Sequence, residues 1–222
     1  MLRSALPLKI RSRIADFRGR GVYSNYSDEY KCIFVHIPKA AGTSVALTLF
    51  NRGSRHVAWQ EYYNANPKKF ADYFKFSFVR NPWDRLVSTY FFLVKGGMNE
   101  SDAKWSSNVL VQYPDFASFV HGWINKQNIK TWIHFIPQHQ FVCDDDGNIL
   151  MDFLGRMENI NVDFLYVAEK IGCTDSLKKI NTGDRKHYSL YYDAETREIV
   201  REVYKKDIDI FGYKFENISE IK

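Results

Sequence analysis

Two stretches of this chain are apolar without alternation, and each gives way to a polar turn and then to a helical period. The run "CIFVHI" at residues 32–37 is short and rich in β-branched and aromatic side chains, the pattern of a strand buried on both faces. The Gly-Thr-Ser that follows opens a helical stretch, "TSVALTLFNRG", ending at Gly53. The arrangement returns in "YFKFSFVRNPWDRLVSTYFFLVKGG". Residues 74–79 read as a strand, Asn81 is placed to cap, Pro82 suits the first helical position, and Gly96-Gly97 stops the helix. Strand, loop and helix repeated in this order predict an α/β fold of the three-layer, P-loop-like kind, a central parallel sheet flanked by helices.

Beyond residue 100 the pattern is weaker. Residues 114–124 read as a helix, and "QFVCDDDGNILMDFLG" reads as two strands joined at an Asp-Gly-Asn turn. Two late helices are expected, over "VDFLYVAEKIG" and "AETREIVREVYKKDIDIFG", the second capped by Asp193 and preceded by the polar loop "NTGDRKHYSLYYD".

Composition adds limits. A chain of 222 residues with 45% hydrophobic and 16% aromatic content can bury a sizeable core. No run of 18 or more apolar residues occurs, so no membrane span is predicted. Three cysteines without a Cys-x-x-Cys pair suggest neither a disulfide framework nor a metal site, and suit a reducing compartment. The net charge of +5 sits in residues 1–20, with six basic side chains against Asp16, 6 − 1 = +5. The remainder is neutral, which argues against a nucleic-acid partner. The expected organisation is therefore a basic arm over residues 1–21 and a single domain over 22–222. In the arm, Leu6, Ile10, Ile14 and Phe17 share a helical face opposite Arg11, Arg13, Arg18 and Arg20, making it a candidate for peripheral contact with an anionic membrane. A helix packed on the body is the other reading.

The loop after the first strand, "VHIPKAAGTSV", carries the clearest chemistry. A loop that leaves a buried strand and enters a helix presents backbone N–H groups together with the positive end of the helix dipole, which makes an anion site. Gly42 allows close approach, Thr43 and Ser44 add hydroxyls, and Lys39 adds a charge at the strand end. The plain alternative is a helix start with ordinary Thr/Ser caps. A second candidate anion site lies in "FVRNPWDRLVSTY", where Arg80 ends the second strand and Ser88 falls about two turns into the next helix. Arg80 could instead pair with Asp84, and Asp84 with Arg85 could be a solvated ion pair.

"HIPKAAGTS" followed by "FVRNPWDRLVSTY" resembles the paired donor-binding motifs of the sulfotransferase superfamily, most closely its carbohydrate branch (sulfotransferase family 2), including short bacterial relatives. The likeness extends more loosely over residues 31–213. It implies that Lys39, Ala41, Gly42, Thr43 and Ser44 hold the 5' end of 3'-phosphoadenosine 5'-phosphosulfate, and that Arg80 and Ser88 hold its 3'-phosphate. The residue after Lys39 is more often Thr in the family, and Ala40 here removes one hydroxyl. The late loop resembles the family's basic loop over the nucleotide, which makes Arg185, Lys186 and Tyr188 further cofactor candidates.

Sulfuryl transfer to a hydroxyl needs stabilisation of the leaving phosphate oxygen, for which Lys39 is the candidate, and a base for the acceptor proton. No metal is implied. Among the six histidines, His36 lies inside the first strand and reads as structural, while His121 and His134 sit in aromatic-rich segments. His56, in "SRHVAW", resembles the position of the catalytic histidine in uronyl 2-O-sulfotransferases and is preferred. His139 is the reserve, with Gln138 beside it as a candidate for acceptor hydroxyls. A nucleotide-dependent kinase or P-loop-type phosphate-binding module is the alternative, but no strand ends in the Asp that would serve Mg²⁺. The resemblance implies a carbohydrate or glycolipid acceptor, for which Trp59, Tyr62, Tyr63 and Trp105 are candidate stacking surfaces against a reading as core. A cytoplasmic bacterial enzyme, or a catalytic fragment of a longer protein, is expected. Nothing in the residues indicates an oligomeric state.

Overall fold

The computed structural model describes residues 6–24, 26–177 and 185–218. In chain order these form α1 (Leu8–Phe17), α2 (Ser27–Tyr30), β1 (Cys32–Val35), α3 (Gly42–Phe50), α4 (Trp59–Ala65), α5 (Pro67–Asp72) and β2 (Phe74–Val79). There follow α6 (Pro82–Val94), α7 (Glu100–Val109), α8 (Phe116–Trp123), α9 (His139–Val142), β3 (Phe153–Arg156), α10 (Ile160–Lys170), α11 (Ala194–Val203) and α12 (Lys205–Phe211). The fold is α/β, and the chain divides into two compact units. The first holds residues 1–79 and 138–181, the second residues 80–137 and 182–222.

The first unit contains the sheet, ordered β1-β2-β3 with both pairings parallel. Cys32 stands opposite Phe74 and Val35 opposite Ser77, while Val79 stands opposite Arg156. Cys32, Phe34, Phe76 and Phe78 meet Val45, Ala46, Leu49 and Phe50 of α3 and Phe164, Val167 and Ala168 of α10 in one core. Ile33, Val35 and Val79, which alternate with them, are buried as well, so the strands are covered on both faces and read as unbroken apolar runs. Ser77 fits this setting because its hydroxyl donates to the Val35 carbonyl at 2.6 Å.

The second unit is helical. Asn81 caps α6 by accepting from the Trp83 amide at 3.1 Å, with Pro82 in the first turn. Trp83, Leu86, Val87, Tyr90 and Leu93 from α6 pack with Phe116, Phe119, Val120 and Trp123 and with Val200 and Tyr204. Arg85 is buried and donates to the carbonyls of His134 at 3.1 Å and Ile136 at 2.9 Å. It ties a loop to α6 rather than forming a solvated pair with Asp84.

Three expectations need correction. The long helix over residues 194–212 is two helices, since Tyr204 takes φ −104°, ψ 22° between them while its hydroxyl donates to the Phe135 carbonyl at 2.9 Å. Asp193 caps the first of them as a capping box. The expected hairpin is a single antiparallel bridge, Cys143 with Ile149; Phe153–Arg156 pairs instead with β2 in parallel. The segment before the bridge turns helical as α9. The helix α7, capped by the Asn99 side chain, has no counterpart in the expectations, because polar residues dominate "ESDAKWSSNV".

The basic arm belongs to the first unit and lies against α4. Asp16 secures it, accepting from the Asn66 amide at 3.0 Å and from Lys69 Nζ at 3.1 Å. Arg3 of the arm and Asn181, Thr182, Gly183 and Asp184 of the late loop lie outside the described residues.

Candidate functional site

Between β1 and α3 the backbone bends sharply through Lys39 (φ 66°) and Ala41 (φ 63°), both left-handed. Such a conformation costs a non-glycine residue about 1 kcal/mol or more. Ala41 is the N-cap of α3, and no side chain hydrogen-bonds to that cap. The same holds for α1, α2, α4, α9, α10 and α12, whereas α5, α6, α7, α8 and α11 are each capped by an Asn or Asp side chain. The first N–H groups of α3 thus open a helix whose cap residue has no side-chain oxygen to offer them. Lys39, Ala41 and Thr43 are half-buried around this end, and Ser44 is buried.

Gly42 has a role that the sequence did not disclose. A Cβ built there would fall inside the imidazole of His36, so the glycine makes room for that ring beneath the helix end. His36 is buried, and its Nδ1 lies 2.6 Å from Ser54 Oγ. The His56 ring stands edge-on to it at 4.2 Å between centroids. His56 Nδ1 lies 3.1 Å from the His36 carbonyl oxygen. A carbonyl only accepts, so this contact places the hydrogen on Nδ1 and makes Nε2 the basic nitrogen of the neutral ring. Lys39, Gly42, Thr43, Ser44 and His56 therefore lie around one short segment of the first unit, with His36 linking loop and histidine.

Gln138 and His139 belong to the same unit. Gln138 is fully buried, whereas His139 is half-buried at the start of α9. Of the four proposed sugar platforms, Tyr63 alone is exposed. Trp59 Nε1 donates to the Cys143 carbonyl at 2.7 Å, Tyr62 is buried, and Trp105 stacks on Trp132 at 5.8 Å beside Trp123. Core packing accounts for these three.

In the second unit, Arg80 follows directly on the last residue of β2 and is 9% exposed. Its Nε donates to Asp84 Oδ2 at 2.7 Å, and Arg185 Nη2 donates to Asp84 Oδ1. Ser88 sits half-buried on α6, one turn beyond Asp84. Arg80, Asp84 and Arg185 thus form one cluster, with two guanidinium groups sharing a carboxylate. The Asp84 spacing, four residues after Arg80 on a helix, was readable from sequence as a pair; its second arginine was not. Lys186 is exposed and its amide donates to Tyr191 Oη at 3.3 Å. Tyr188 is buried; its hydroxyl accepts from the Glu216 amide at 2.6 Å and from Asn81 Nδ2 at 3.4 Å. Burial pushes the Tyr188 phenol up to about 12.

The remaining histidines are accounted for locally. His134 Nε2 lies 3.0 Å from Asp102 Oδ1 in a buried pair, His121 faces Glu195 at 3.8 Å near the surface, and His187 Nδ1 lies 2.9 Å from Ser189 Oγ. Among the described residues no group of three or more His, Cys, Asp or Glu side chains is placed to hold a metal ion.

The chain is thus an α/β protein whose parallel sheet leads from its first strand, through Lys39, into a helix start without a side-chain cap. The model of the sulfotransferase family matches residues 23–214, and the chain belongs to that family. It is 28% identical over 134 residues to an uncharacterised protein of Archaeoglobus fulgidus, covering 59% of this chain and 95% of the relative. It is also 24% identical over 175 residues to carbohydrate sulfotransferase 14 of Danio rerio, covering 66% of this chain and 46% of that protein. The chain thus spans just under half the length of the second relative. No solved structure matches.

Proposed function

We propose that this sulfotransferase moves the sulfuryl group of 3'-phosphoadenosine 5'-phosphosulfate to a hydroxyl of a carbohydrate or glycolipid acceptor. The observation that carries the reading is the start of α3, where Lys39 and an end without a side-chain cap stand beside a histidine whose Nε2 is basic. The carbohydrate class rests on the likeness to carbohydrate sulfotransferase 14.

In this reading Lys39, with the amides and hydroxyls of Ala41, Gly42, Thr43 and Ser44, stabilises negative charge on the leaving phosphate oxygen. Arg80 and Ser88 take the 3'-phosphate, with Asp84 orienting Arg80 and Arg185. His56 Nε2 receives the acceptor proton as the acceptor oxygen bonds to sulfur and the bond from sulfur to the leaving oxygen breaks. His36 acts as a positioning residue, since its carbonyl fixes the His56 tautomer. His139 and Gln138 are assigned to the acceptor side, and Lys186 to the nucleotide loop. Tyr188 orders that loop from within.

Thermal stabilisation tests the donor. Adenosine 3',5'-bisphosphate, with EDTA present, is expected to raise the melting temperature, since a ligand at 100 times its Kd stabilises by about 2.7 kcal/mol. Stabilisation by ATP with Mg²⁺ but not by the bisphosphate would overturn the assignment. Transfer of labelled sulfate to a glycan panel then identifies the acceptor.

A further inference from the structure

The arm presents a surface that sulfuryl transfer does not use. The helix α1 meets its unit through Ser12, Ala15 and Asp16, which are half-buried, and Asp16 is held by Asn66 and Lys69. On a helix turning about 100° per residue, Ile10, Ile14 and Phe17 fall within roughly 60° of one another, on the side away from those anchors. All three are exposed, Phe17 by 93%. By the same count Arg13 borders this stripe on one side and Arg11 and Arg18 on the other. The arginines flank the stripe rather than oppose it, and with Lys9 and Arg20 they are exposed.

An apolar stripe turned outward and edged by cations matches the boundary of an anionic bilayer, where apolar side chains enter below the phosphates and guanidinium groups remain among them. An anionic polymer in solution would pair with the arginines and gain nothing from Ile10, Ile14 and Phe17. We propose that α1 is a docking surface for an anionic lipid bilayer. Because Asp16 fastens the opposite side of the helix, docking needs no detachment of the arm from its unit.

Co-sedimentation of the full chain with vesicles tests this. Phosphatidylcholine vesicles containing phosphatidylglycerol should bind the protein, and phosphatidylcholine alone should bind it at least about tenfold more weakly. The neutral double change Ile14→Ser with Phe17→Ser should weaken binding to the mixed vesicles by more than about tenfold, with an unchanged melting temperature. Undiminished binding by this variant would assign the surface to anions in solution and overturn the proposal, as would failure of the parent protein to bind. As a second readout, emission from Phe17→Trp should shift to the blue with the mixed vesicles; an unshifted spectrum counts against lipid contact.

Discussion

Asp84 divides its carboxylate between two arginines, one four residues earlier in the chain and one 101 residues later. Arg80 and Asp84 side chains are 11% and 17% exposed, and Arg185 is 20% exposed, so these bonds are partly shielded and stronger than surface pairs. Changing Asp84→Asn removes the negative charge and one of the two acceptor oxygens that the guanidinium groups use. The expected cost is about 1–3 kcal/mol of stability, read as a lower urea midpoint with an unchanged slope. A midpoint equal to that of the parent would show that solvent already satisfies both arginines.

Arg80→Ala and Ser88→Ala separate charge from hydroxyl at the proposed 3'-phosphate site. Loss of a charge-assisted bond is worth about 1.5–3 kcal/mol, roughly a 10- to 150-fold rise in the Kd for adenosine 3',5'-bisphosphate by calorimetry. Ser88→Ala should cost less, about tenfold or under. Equal affinities in parent and Arg80→Ala would remove the residue from the site.

Gly42→Ala drives a methyl group into the His36 ring, whereas the same change at Gly53 meets nothing within 4 Å. Overpacking of this kind costs about 1–3 kcal/mol, and here the left-handed turn before the helix limits relaxation. Differential scanning calorimetry should show a clear loss for the first variant and little for the second. Transfer activity should fall with Gly42→Ala as His36 moves and His56 loses its tautomer-fixing carbonyl.

His56→Ala should slow turnover by about 10² to 10⁴ while leaving bisphosphate affinity nearly unchanged. His139→Ala, if that residue only positions acceptor, should act through KM. A near-normal His56→Ala enzyme beside an inactive His139→Ala enzyme that still binds nucleotide would exchange the two roles.

Alkaline pH should destabilise the protein. Burial raises the Cys32 thiol to about 12, and the Tyr73 phenol reaches about 12 through burial and then the hydrogen bond to Asp28. Tyr188 rises to about 12 as well. Groups whose pKa is higher folded than unfolded contribute stability that is complete below their unfolded values, about 8.5 for Cys and 10 for Tyr. That contribution is lost as pH climbs toward 12. Urea midpoints at pH 8, 10 and 11 should therefore fall in that order.

Local signals were legible where they and the packing agreed. The strand at residues 74–79 and the Asn81-Pro82 start of α6 follow from neighbouring residues alone, and the structure forms both. Tyr204 shows the opposite case: its helical surroundings favour continuation, but a hydroxyl bond to Phe135, 69 residues away, fixes a bend. Likewise "FLGR" pairs with β2 because Gly155 stands against Phe78, where a Cβ would collide with the ring. At the site, the step from strand through loop to helix over residues 32–50 was legible as a motif. The reason for Gly42 was not, because it depends on where the His36 ring lies.

The two units are each built from two separated stretches of chain, 1–79 with 138–181 and 80–137 with 182–222. During synthesis β1 and β2 emerge early, but β3 and α10, which complete their core, follow only after most of the second unit's first stretch has left the ribosome. The aromatic face of the sheet must therefore wait for its cover, a period in which chaperones and aggregation compete. For the same reason no single cut yields either unit whole, and fragments meant to isolate the loop between β1 and α3 must reach past residue 170 to retain α10.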